Sequence, residues 1–261
     1  MTAPVFVVPT AALAAASVGA VVRLDGPEGR HAVSVRRLGV GEQLDLVDGA
    51  GRRVGGTVAA VVDKQCLDIT VVSLDEEPVP QPRVIVVQAL PKGDRGELAV
   101  ELLTEVGVDV IVPWSAVNCV TRWQGDRVER AHRRWVDAAQ AAAKQARRAR
   151  FPVVEPLAST TAVLTLVGQA SVALVLHEEA QTPIANVAAP AAGDLLLVVG
   201  PEGGLTPAER TSLVEAGATE VRLGPSVLRT SSAGIAAVAA LLAPTSRWAL
   251  TGVAGDGRMP S

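Results

Sequence analysis

The sequence predicts an α/β protein whose larger part is a parallel β-sheet covered by helices, preceded by a small β-rich domain. Two observations predict this arrangement. Apolar runs alternate with helical segments after Arg83, whereas short β-rich runs separated by glycine turns precede Leu74. Alternating strands and helices are typical of parallel sheets, which bind ligands beyond the carboxyl ends of their strands. We therefore expect the larger domain to bind its ligand with the loops that follow its strands.

The first domain is predicted to span residues 1–74 as a small β-barrel. Its strands are expected at Val5–Val8, Gln43–Val47, Arg53–Val62 and Leu67–Leu74. The turn Asp48-Gly49-Ala50-Gly51 between two of these runs indicates a hairpin. Residues 75–82 then hold three prolines and three acidic residues, a composition that resists helices and central strands. We interpret this segment as a linker.

The second domain is predicted over residues 83–250, followed by a flexible tail over 251–261. Strands are expected at the largely apolar runs 84–87, 108–112, 172–176, 195–199 and 221–223. Leu98, Leu102 and Val106 recur at helical spacing and predict one buried helix stripe. Residues 126–149 predict a long basic helix, and residues 232–242 predict an alanine-rich one.

Composition limits the classes of function. Hydrophobic residues make up 49% of the chain, enough for a buried core, but no apolar run approaches the roughly 20 residues that cross a bilayer. Because the start also lacks the pattern of a signal peptide, we expect a cytoplasmic protein without membrane contact. Cys66 and Cys119 have no Cys or His neighbours at metal-ligand spacing. We therefore expect buried thiols and no bound metal.

Charge is concentrated in one segment. The net charge is -3, yet residues 122–150 hold nine basic and three acidic residues. This segment is either a solvated helix face or a binding site for a polyanion. With no Tyr, two Phe and four Trp, the chain cannot build the aromatic platform on which some RNA-binding domains stack bases.

The strongest single motif is Gly200-Pro201-Glu202-Gly203-Gly204, which we call the glycine loop. It follows an apolar strand and leads into a helix whose start is predicted by Thr206 as N-cap, Pro207 at N1 and Glu209 at N3. Glycines let a backbone approach a ligand and adopt positive φ, although the loop is equally explained as a tight turn. It lacks the Gly-Lys-Ser/Thr of a phosphate-binding loop, so a phosphate cradle is the weaker alternative.

A second loop, residues 223–229, presents one arginine before a helix that Ser231 or Ser232 is expected to cap. We call it the arginine loop. Two such loops after neighbouring strands are expected to form one pocket. Arg229 is placed either to form a surface salt bridge or to contact an anion or a polar base edge.

These motifs resemble the RsmE family of ribosomal RNA methyltransferases in the SPOUT superfamily. The glycine loop and the segment Leu223–Thr230 match its two signature loops, and the resemblance extends over residues 5–250. Further matches are Lys92-Gly93-Asp94-Arg95, Glu101, Thr104, Glu105, Gly107, Val108, Gln145, Arg148, His177-Glu178, His31, Arg36-Arg37-Leu38 and Asp48-Gly49. The chain departs from the family pattern at Ser231, Ser232, Ala146 and Asn118.

The resemblance implies a deep C-terminal trefoil knot, a PUA-like first domain and a homodimer with the active site at its interface. It also implies methyl transfer from S-adenosylmethionine to N3 of a uridine in 16S ribosomal RNA, either free or in the small subunit. The residues expected to bind the cofactor are Leu176, His177, Val199, Gly200, Pro201, Glu202, Gly203, Gly204, Leu223, Gly224, Pro225, Val227, Leu228 and Thr230. Those expected to bind RNA are His31, Arg36, Arg37, Lys92, Arg95, Arg133, Arg134, Gln145, Arg147 and Arg148.

For such a reaction, two residues are candidates for catalysis. Loss of the N3 proton puts negative charge on uracil O2 and O4, which Arg229 is placed to stabilise. Glu202 either accepts the proton or orients the base, or it serves instead as a local hydrogen-bond acceptor in the glycine loop. His31 and His177 have less weight, because histidines beside strands are more often structural.

Three other functions compete with this one. A ribose 2′-O-methyltransferase would share the fold, but its Asn-x-Gly-Ala-x-x-Arg segment is missing here. A non-catalytic RNA-binding assembly factor would not require the glycine loops. A nucleotide-binding enzyme would need the Lys-Ser/Thr that the glycine loop lacks.

Overall fold

The computed structural model describes residues 3–249, which divide into two units. The first unit comprises residues up to 79 together with 136–152, and the second comprises residues 80–135 and those from 153 onward. The basic segment is thus shared between the units, a feature that the predicted division at residues 75–82 did not include. The predicted tail over 251–261 lies outside the described residues.

The first unit is built on a five-stranded sheet in the order β1-β3-β4-β5-β2. All pairs are antiparallel except β1 with β3. The strands are β1 (Val5–Val7), β2 (Val21–Leu24), β3 (Gln43–Val47), β4 (Arg52–Asp63) and β5 (Cys66–Glu76). The helices are α1 (Thr10–Ala14) and α2 (Gly26–Arg30), and a π-helical turn covers His31–Val35. The predicted strands are confirmed, and β2 is an additional one with a short, strictly alternating burial pattern.

Two local features of this unit follow from charge and turn chemistry. Gly49 and Gly51 adopt positive φ in the β3–β4 turn, and Asp48 accepts hydrogen bonds from the backbone of Ala50 and Arg52, so the predicted hairpin is confirmed. Strand β5 extends to Glu76, two residues into the predicted linker. It does so because its acidic end lies opposite the basic start of β4, and opposite charges stabilise cross-strand pairs.

The second unit contains a seven-stranded sheet in the order β10-β12-β9-β11-β6-β7-β8. Every pair is parallel, as predicted. Its strands are β6 (Arg83–Ala89), β7 (Val110–Trp114), β8 (Val153–Val154), β9 (Val172–Leu176), β10 (Thr182–Pro183), β11 (Asp194–Val199) and β12 (Thr219–Arg222). The apolar runs of β6 and β11 are buried on both faces, which is why they lack a strand alternation.

The helices are α3 (Arg95–Glu105), α4 (Arg127–Gln145), α5 (Thr160–Gln169), α6 (Pro207–Glu215) and α7 (Thr230–Leu242), with a 3-10 turn at Ile184–Asn186. Helix α7 packs against α3, β6 and β11. Of the helices in the part of the chain described, none is long and apolar enough to cross a membrane.

The predicted stripe of α3 is confirmed only at Val106, which is buried, and is wrong at Leu98. Leu98 is 44% exposed, whereas Ala99, Val100 and Leu103 are buried. The inward face also carries Gly96, where a Cβ atom would lie only 2.8 Å from Nε1 of Trp135. Small residues on the inward face of α3 therefore allow Trp135 to pack closely against it. A prediction based on large apolar residues selects a different face.

Two predicted helix ends also need correction. Helix α4 ends at Gln145 rather than residue 149, because Arg147 adopts φ +56° and the amides of Arg147 and Arg148 bond back to Lys144 and Ala143. Helix α7 begins at Thr230 with Arg229 as its N-cap, and no side chain caps it. Ser231 is buried inside the first turn, so neither it nor Ser232 is the cap.

The two cysteines are free. Cys119 is buried, as predicted, and burial raises the pKa of its thiol. Cys66 is only partly buried at the start of β5, so the prediction of a buried thiol is wrong at this position.

Candidate functional site

A pocket lies where three neighbouring strands of the second unit end. Strands β12, β9 and β11 are adjacent and parallel, so the loops that follow them meet at one edge of the sheet. The pocket has a volume of about 360 Å³ and is lined by His177 and Glu178 after β9, the glycine loop after β11 and the arginine loop after β12. We call it the loop pocket. The prediction that the loops after neighbouring strands form one pocket is confirmed.

The glycine loop is anchored by the predicted helix start. Thr206 Oγ1 accepts a hydrogen bond from the Glu209 amide at 3.2 Å, and Glu209 Oε2 accepts one from the Thr206 amide at 2.9 Å. This capping box, with Pro207 in the first turn, is confirmed. The other Glu209 oxygen accepts a hydrogen bond from the Val117 amide at 2.9 Å. The buried carboxylate therefore joins α6 to the loop after β7.

The two glycines at the end of this loop have different roles. Gly204 adopts φ +71° and lines the pocket. Gly203 does not line it, because it faces Asn118, whose Cβ would lie 3.0 Å from an added Cβ atom. The Asn118 amide also donates hydrogen bonds to the carbonyls of Gly203 and Gly204, at 3.2 and 3.1 Å. Asn118, one of the departures from the family pattern, thus holds the loop from behind.

The arginine loop offers an open backbone to the pocket. Nothing lies within 4 Å of the position that a Cβ atom of Gly224 would take. Among the described residues, the backbone amides of Gly224, Val227 and Leu228 have no acceptor. Val227 and Leu228 are 79% and 41% exposed although they are apolar. Unpaired amides next to exposed apolar side chains are typical of a surface that binds a ligand or partner.

Arg229 ends this loop and lines the pocket. It is exposed, and within residues 3–249 its guanidinium has no carboxylate partner. The alternative of a surface salt bridge is therefore not realised. An unpaired guanidinium beside a pocket is available for an anionic or polar ligand atom.

Glu202 lies on the opposite loop. Its two carboxylate oxygens accept hydrogen bonds from the Lys92 amide, at 3.1 and 3.2 Å. This is the contact expected of a local acceptor, and it joins the glycine loop to the segment that precedes α3. A carboxylate has about four lone-pair sites, so one amide leaves Glu202 further accepting capacity.

The pocket brings together nearly all the residues predicted to bind a cofactor. Those lining it are Leu176, His177, Val199, Gly200, Pro201, Glu202, Gly204, Leu223, Gly224, Pro225, Val227, Leu228 and Thr230. Gly203 alone among the predicted set lies behind it. His177 also has a structural contact, since its Nδ1 accepts a hydrogen bond from the Glu179 amide at 3.2 Å.

Several lining residues were not predicted. They are Glu178, Leu205, Val221, Arg222, Ser226 and Ala233. Ala233 follows Arg229 by one helical turn, a spacing that could have identified it.

Gln88, at the end of β6, was also missed. It is 1% exposed, and its Nε2 donates to the carbonyls of Ala89 at 3.1 Å and Thr230 at 3.4 Å, while its Oε1 has no partner. The Gln88 side chain therefore contacts the backbone of Thr230, the first residue of α7. The signal in the sequence was a glutamine directly after the apolar run 84–87, because buried polar groups in strands need a specific partner.

The predicted RNA-binding residues of the second unit are exposed. Lys92 lies before α3, and Arg95 is the first residue of this helix. Arg133 pairs with Glu129 at 2.7 Å and Arg134 with Glu97 at 3.4 Å. Exposed pairs of this kind contribute about 0–1 kcal/mol, so both arginines can exchange these partners for an anion at little cost.

In the first unit, four predicted RNA-binding residues line one cleft of about 540 Å³: His31, Arg36, Gln145 and Arg147. Arg37 and Arg148 lie outside its lining. Arg37 and Arg147 are the described non-glycine residues with positive φ, at 57° and 56°. The described residues contain no group of three or more side chains suited to hold a metal ion.

Comparisons with known proteins agree with this geometry. Residues 77–242 match a model described as an RNA methyltransferase domain, and residues 24–72 match one described as an RNA methyltransferase PUA domain. The chain is 48% identical over 234 residues to ribosomal RNA small subunit methyltransferase E of Mycobacterium bovis, covering 88% of this chain and 89% of the relative. It is 31% identical over 228 residues to the Bacillus subtilis protein of that name, covering 84% and 88%.

A solved structure is similar over nearly its whole length. It is a ribosomal RNA small subunit methyltransferase E from Neisseria gonorrhoeae bound to S-adenosyl methionine, with a TM-score of 0.79 and 26% identity. The match covers 93% of this chain and 98% of that one.

Proposed function

The chain belongs to the ribosomal RNA small subunit methyltransferase E family, and we propose on that premise that it transfers a methyl group from S-adenosylmethionine to N3 of a uridine in 16S ribosomal RNA. The observation that carries the proposal is the loop pocket. It combines two glycine-containing loops with one arginine that has no carboxylate partner among the described residues. A binding protein without catalysis would not need such an arrangement.

The loop pocket fits the proposed cofactor. Its volume of about 360 Å³ lies in the usual range for small-molecule sites. Leu176, Val199 and Leu223 supply an apolar lining for a flat base, and the amides of Gly224, Val227 and Leu228 supply donors for ring nitrogens or hydroxyls. We propose that these residues, with the rest of the lining listed above, hold the cofactor. When bound, S-adenosylmethionine supplies a methyl group already activated by its sulfonium.

Arg229 is proposed to stabilise the charge that develops on uracil. Removing the N3 proton delocalises negative charge onto O2 and O4, and a guanidinium can meet a carbonyl oxygen with two parallel donors. Charge stabilisation of this kind acts in the transition state and is worth about 10² to 10³ in rate. The exposed side chain at the pocket edge is consistent with a group that becomes ordered when RNA binds.

Glu202 is proposed to accept the N3 proton while it stays bonded to the Lys92 amide. The amide fixes the carboxylate at the pocket edge, and the remaining lone pairs are free to accept. Glu202→Gln keeps the shape and tests this role, since a glutamine carbonyl is too weak a base to take the proton.

The residues predicted to bind RNA are proposed to contact the substrate. Arg133, Arg134, Lys92 and Arg95 would do so from the second unit, and His31, Arg36, Arg37, Gln145, Arg147 and Arg148 from the first. The match of residues 24–72 to a PUA domain supports RNA binding by the first unit. We further propose that its five strands form a PUA-like barrel, that residues 1–74 and 83–250 are the two domains, and that the enzyme acts in the cytoplasm on 16S ribosomal RNA or the small subunit.

A trefoil knot and a homodimer are also proposed. The strand order supports the knot, because β9 and β11 lie between β12 and β6. Helix α7, which follows β12, packs against β6 and β11, so the chain must return past the glycine loop. Exposed apolar side chains of the arginine loop and of the segment on either side of Asn118 support the dimer. They are Val117, Val120, Val227 and Leu228, at 57%, 67%, 79% and 41% exposure.

Two measurements on the intact protein test the function. Calorimetric titration should show binding of S-adenosylmethionine and S-adenosylhomocysteine but not of ATP. At saturating small-subunit substrate, the single-turnover rate of methylation should be about 10² to 10³ times lower for Arg229→Ala than for wild type, with RNA affinity unchanged. Arg229→Lys should restore little of the rate. If Arg229→Ala methylates at the wild-type rate, the arginine has no catalytic role. If ATP binds in place of S-adenosylmethionine, the proposed reaction is wrong.

A further inference from the structure

The first unit contains a cleft that shares no lining residue with the loop pocket. It lies between β1, the segment from α2 through the π-helical turn, and the last three turns of α4, and its volume is about 540 Å³. We call it the helix cleft. Asp137, Gln140, Ala141 and Lys144 follow one another at spacings of three, one and three residues, so one face of α4 lines it.

The helix cleft has an apolar floor and a polar rim. Phe6 is 1% exposed and its ring meets the His31 ring edge-on, with centroids 5.8 Å apart. On the rim, the side chains of Asp137, Gln140 and Gln145 are exposed and have no hydrogen-bond partner among the described residues. Free amide groups provide both donors and acceptors, whereas a carboxylate provides acceptors. This combination matches the edge of a nucleobase.

The charge of the cleft argues against a plain phosphate site. Arg36, Lys144 and Arg147 are opposed by Glu28 and Asp137. Lys144 is already bound to Glu28 at 2.6 Å, with both side chains about three-quarters buried at 22% and 26% exposure. Two guanidiniums remain to meet an anion, in the presence of one unpaired carboxylate that would repel it. A phosphate alone would find little net attraction here, whereas a nucleotide uses both kinds of group.

Arg147 is held in an unfavourable backbone conformation at the cleft. Its φ of 56° is in the left-handed region, which non-glycine residues avoid. Its carbonyl accepts a hydrogen bond from Arg53 Nη2 at 2.7 Å, and Arg53 is itself fixed by ion pairs to Asp45 and Glu77 at 2.9 and 3.2 Å. This conformation ends α4, and these contacts fix the backbone that carries the Arg147 side chain at the cleft.

We propose that the helix cleft binds one unpaired nucleotide of the RNA substrate. Its base lies against the partly buried His31 ring, which the buried Phe6 ring supports from behind, and its edge is bonded by Asp137, Gln140 and Gln145. Arg36 and Arg147 contact the adjoining phosphate. The inference rests on the proposed function, since it assigns a second contact to the same RNA. It makes recognition depend on an unpaired base as well as on backbone charge.

Salt dependence of binding tests the proposal with the full-length protein and 16S ribosomal RNA. Loss of a base contact should lower affinity without changing the slope of log K against log salt, because no counterion is released there. Gln140→Ala should therefore weaken binding about tenfold at every salt concentration, within the usual worth of a base contact. Arg36→Ala should instead reduce the slope by about 0.7, the value for one phosphate of a single strand.

Ala141→Trp should also weaken RNA binding, because it fills the cleft from an exposed helix position. Gln65→Ala and Gln65→Trp, on the exposed β4–β5 turn, are matched controls expected to bind as wild type. Wild-type affinity for both Gln140→Ala and Ala141→Trp overturns the proposal, as does a reduced slope for Gln140→Ala. Circular dichroism checks that each variant is folded. Calorimetry with S-adenosylmethionine separates failure of the cleft proposal from failure of the proposed function: if the wild-type protein does not bind S-adenosylmethionine, the proposed function is refuted and the cleft proposal is not.

Discussion

Removing the guanidinium of Arg247 should destabilise the second unit more than removing any exposed arginine. Its Nη1 donates to Asp109 at 2.6 Å and to the Pro82 carbonyl at 2.8 Å, and its Nη2 donates to Asp109 at 3.2 Å and to the Gly107 carbonyl at 2.6 Å. Both side chains are only 10% exposed. The bridge fastens the segment after α7 to the amino end of the sheet, and α7 in turn begins at the arginine loop.

The size of the effect follows from burial. Arg247→Ala breaks a buried ion pair while the Asp109 carboxylate keeps its hydrogen bond from the Val84 amide at 2.8 Å, and breaking a buried pair costs about 3–5 kcal/mol. Arg83→Ala is the matched control, since it removes a bidentate pair with Asp194 whose arginine is 47% exposed, and such pairs contribute about 0–1 kcal/mol. At about 2–4 °C per kcal/mol, Arg247→Ala should lower Tm by roughly 6–20 °C.

Urea and thermal unfolding followed by tryptophan fluorescence measure the difference. Asp109→Asn in the Arg247→Ala background should recover part of the loss, because a neutral amide is cheaper to bury than a charged carboxylate whose cation has been removed. The reasoning is refuted if Arg247→Ala loses no more free energy of unfolding than Arg83→Ala.

Three further substitutions test other parts of the account. Gly203→Val should abolish S-adenosylmethionine binding by displacing the glycine loop, because its Cβ would press on Asn118 at 3.0 Å; a folded variant with normal calorimetric affinity would make the loop a simple turn. Arg133→Ala with Arg134→Ala should reduce the salt slope of RNA binding by roughly 0.7 to 0.9 for each arginine while turnover at saturating RNA persists, and an unchanged slope would exclude phosphate contacts. Gln88→Leu should slow single-turnover methylation several-fold, because it removes the hydrogen bond to the Thr230 carbonyl. The free energy of unfolding should change by less than about 1 kcal/mol, because the substitution also removes a buried oxygen without a partner. Equal rates would show that Gln88 does not position the arginine loop.

The sequence was most informative where structure depends on neighbouring residues. The start of α6 was predicted in full, because Thr206, Pro207 and Glu209 specify a capping box within four positions. The parallel sheet was likewise predictable, since strands buried on both faces are continuously apolar. The loop pocket followed from these two results, as adjacent parallel strands must bring their following loops together.

The predictions that were wrong concern features that depend on residues distant in the sequence. Leu98 fits a helical stripe, but Gly96 and Ala99 face inward because partner helices approach closely there. Gly203 contacts Asn118 rather than the pocket, and only the fold brings those residues together. The assignment of residues 136–152 to the first unit depends on long-range contacts such as the pair between Lys144 and Glu28. No local pattern encodes such contacts.

The position of the transferred methyl group tests the central claim most directly. Small subunits lacking the modification should be incubated with the protein and deuterated S-adenosylmethionine, and their RNA digested to nucleosides for mass spectrometry. We expect labelled 3-methyluridine as the product, and far less of it in a single turnover with Arg229→Ala. Label in 5-methyluridine or a 2′-O-methylated nucleoside, or no label in the RNA at all, would contradict it.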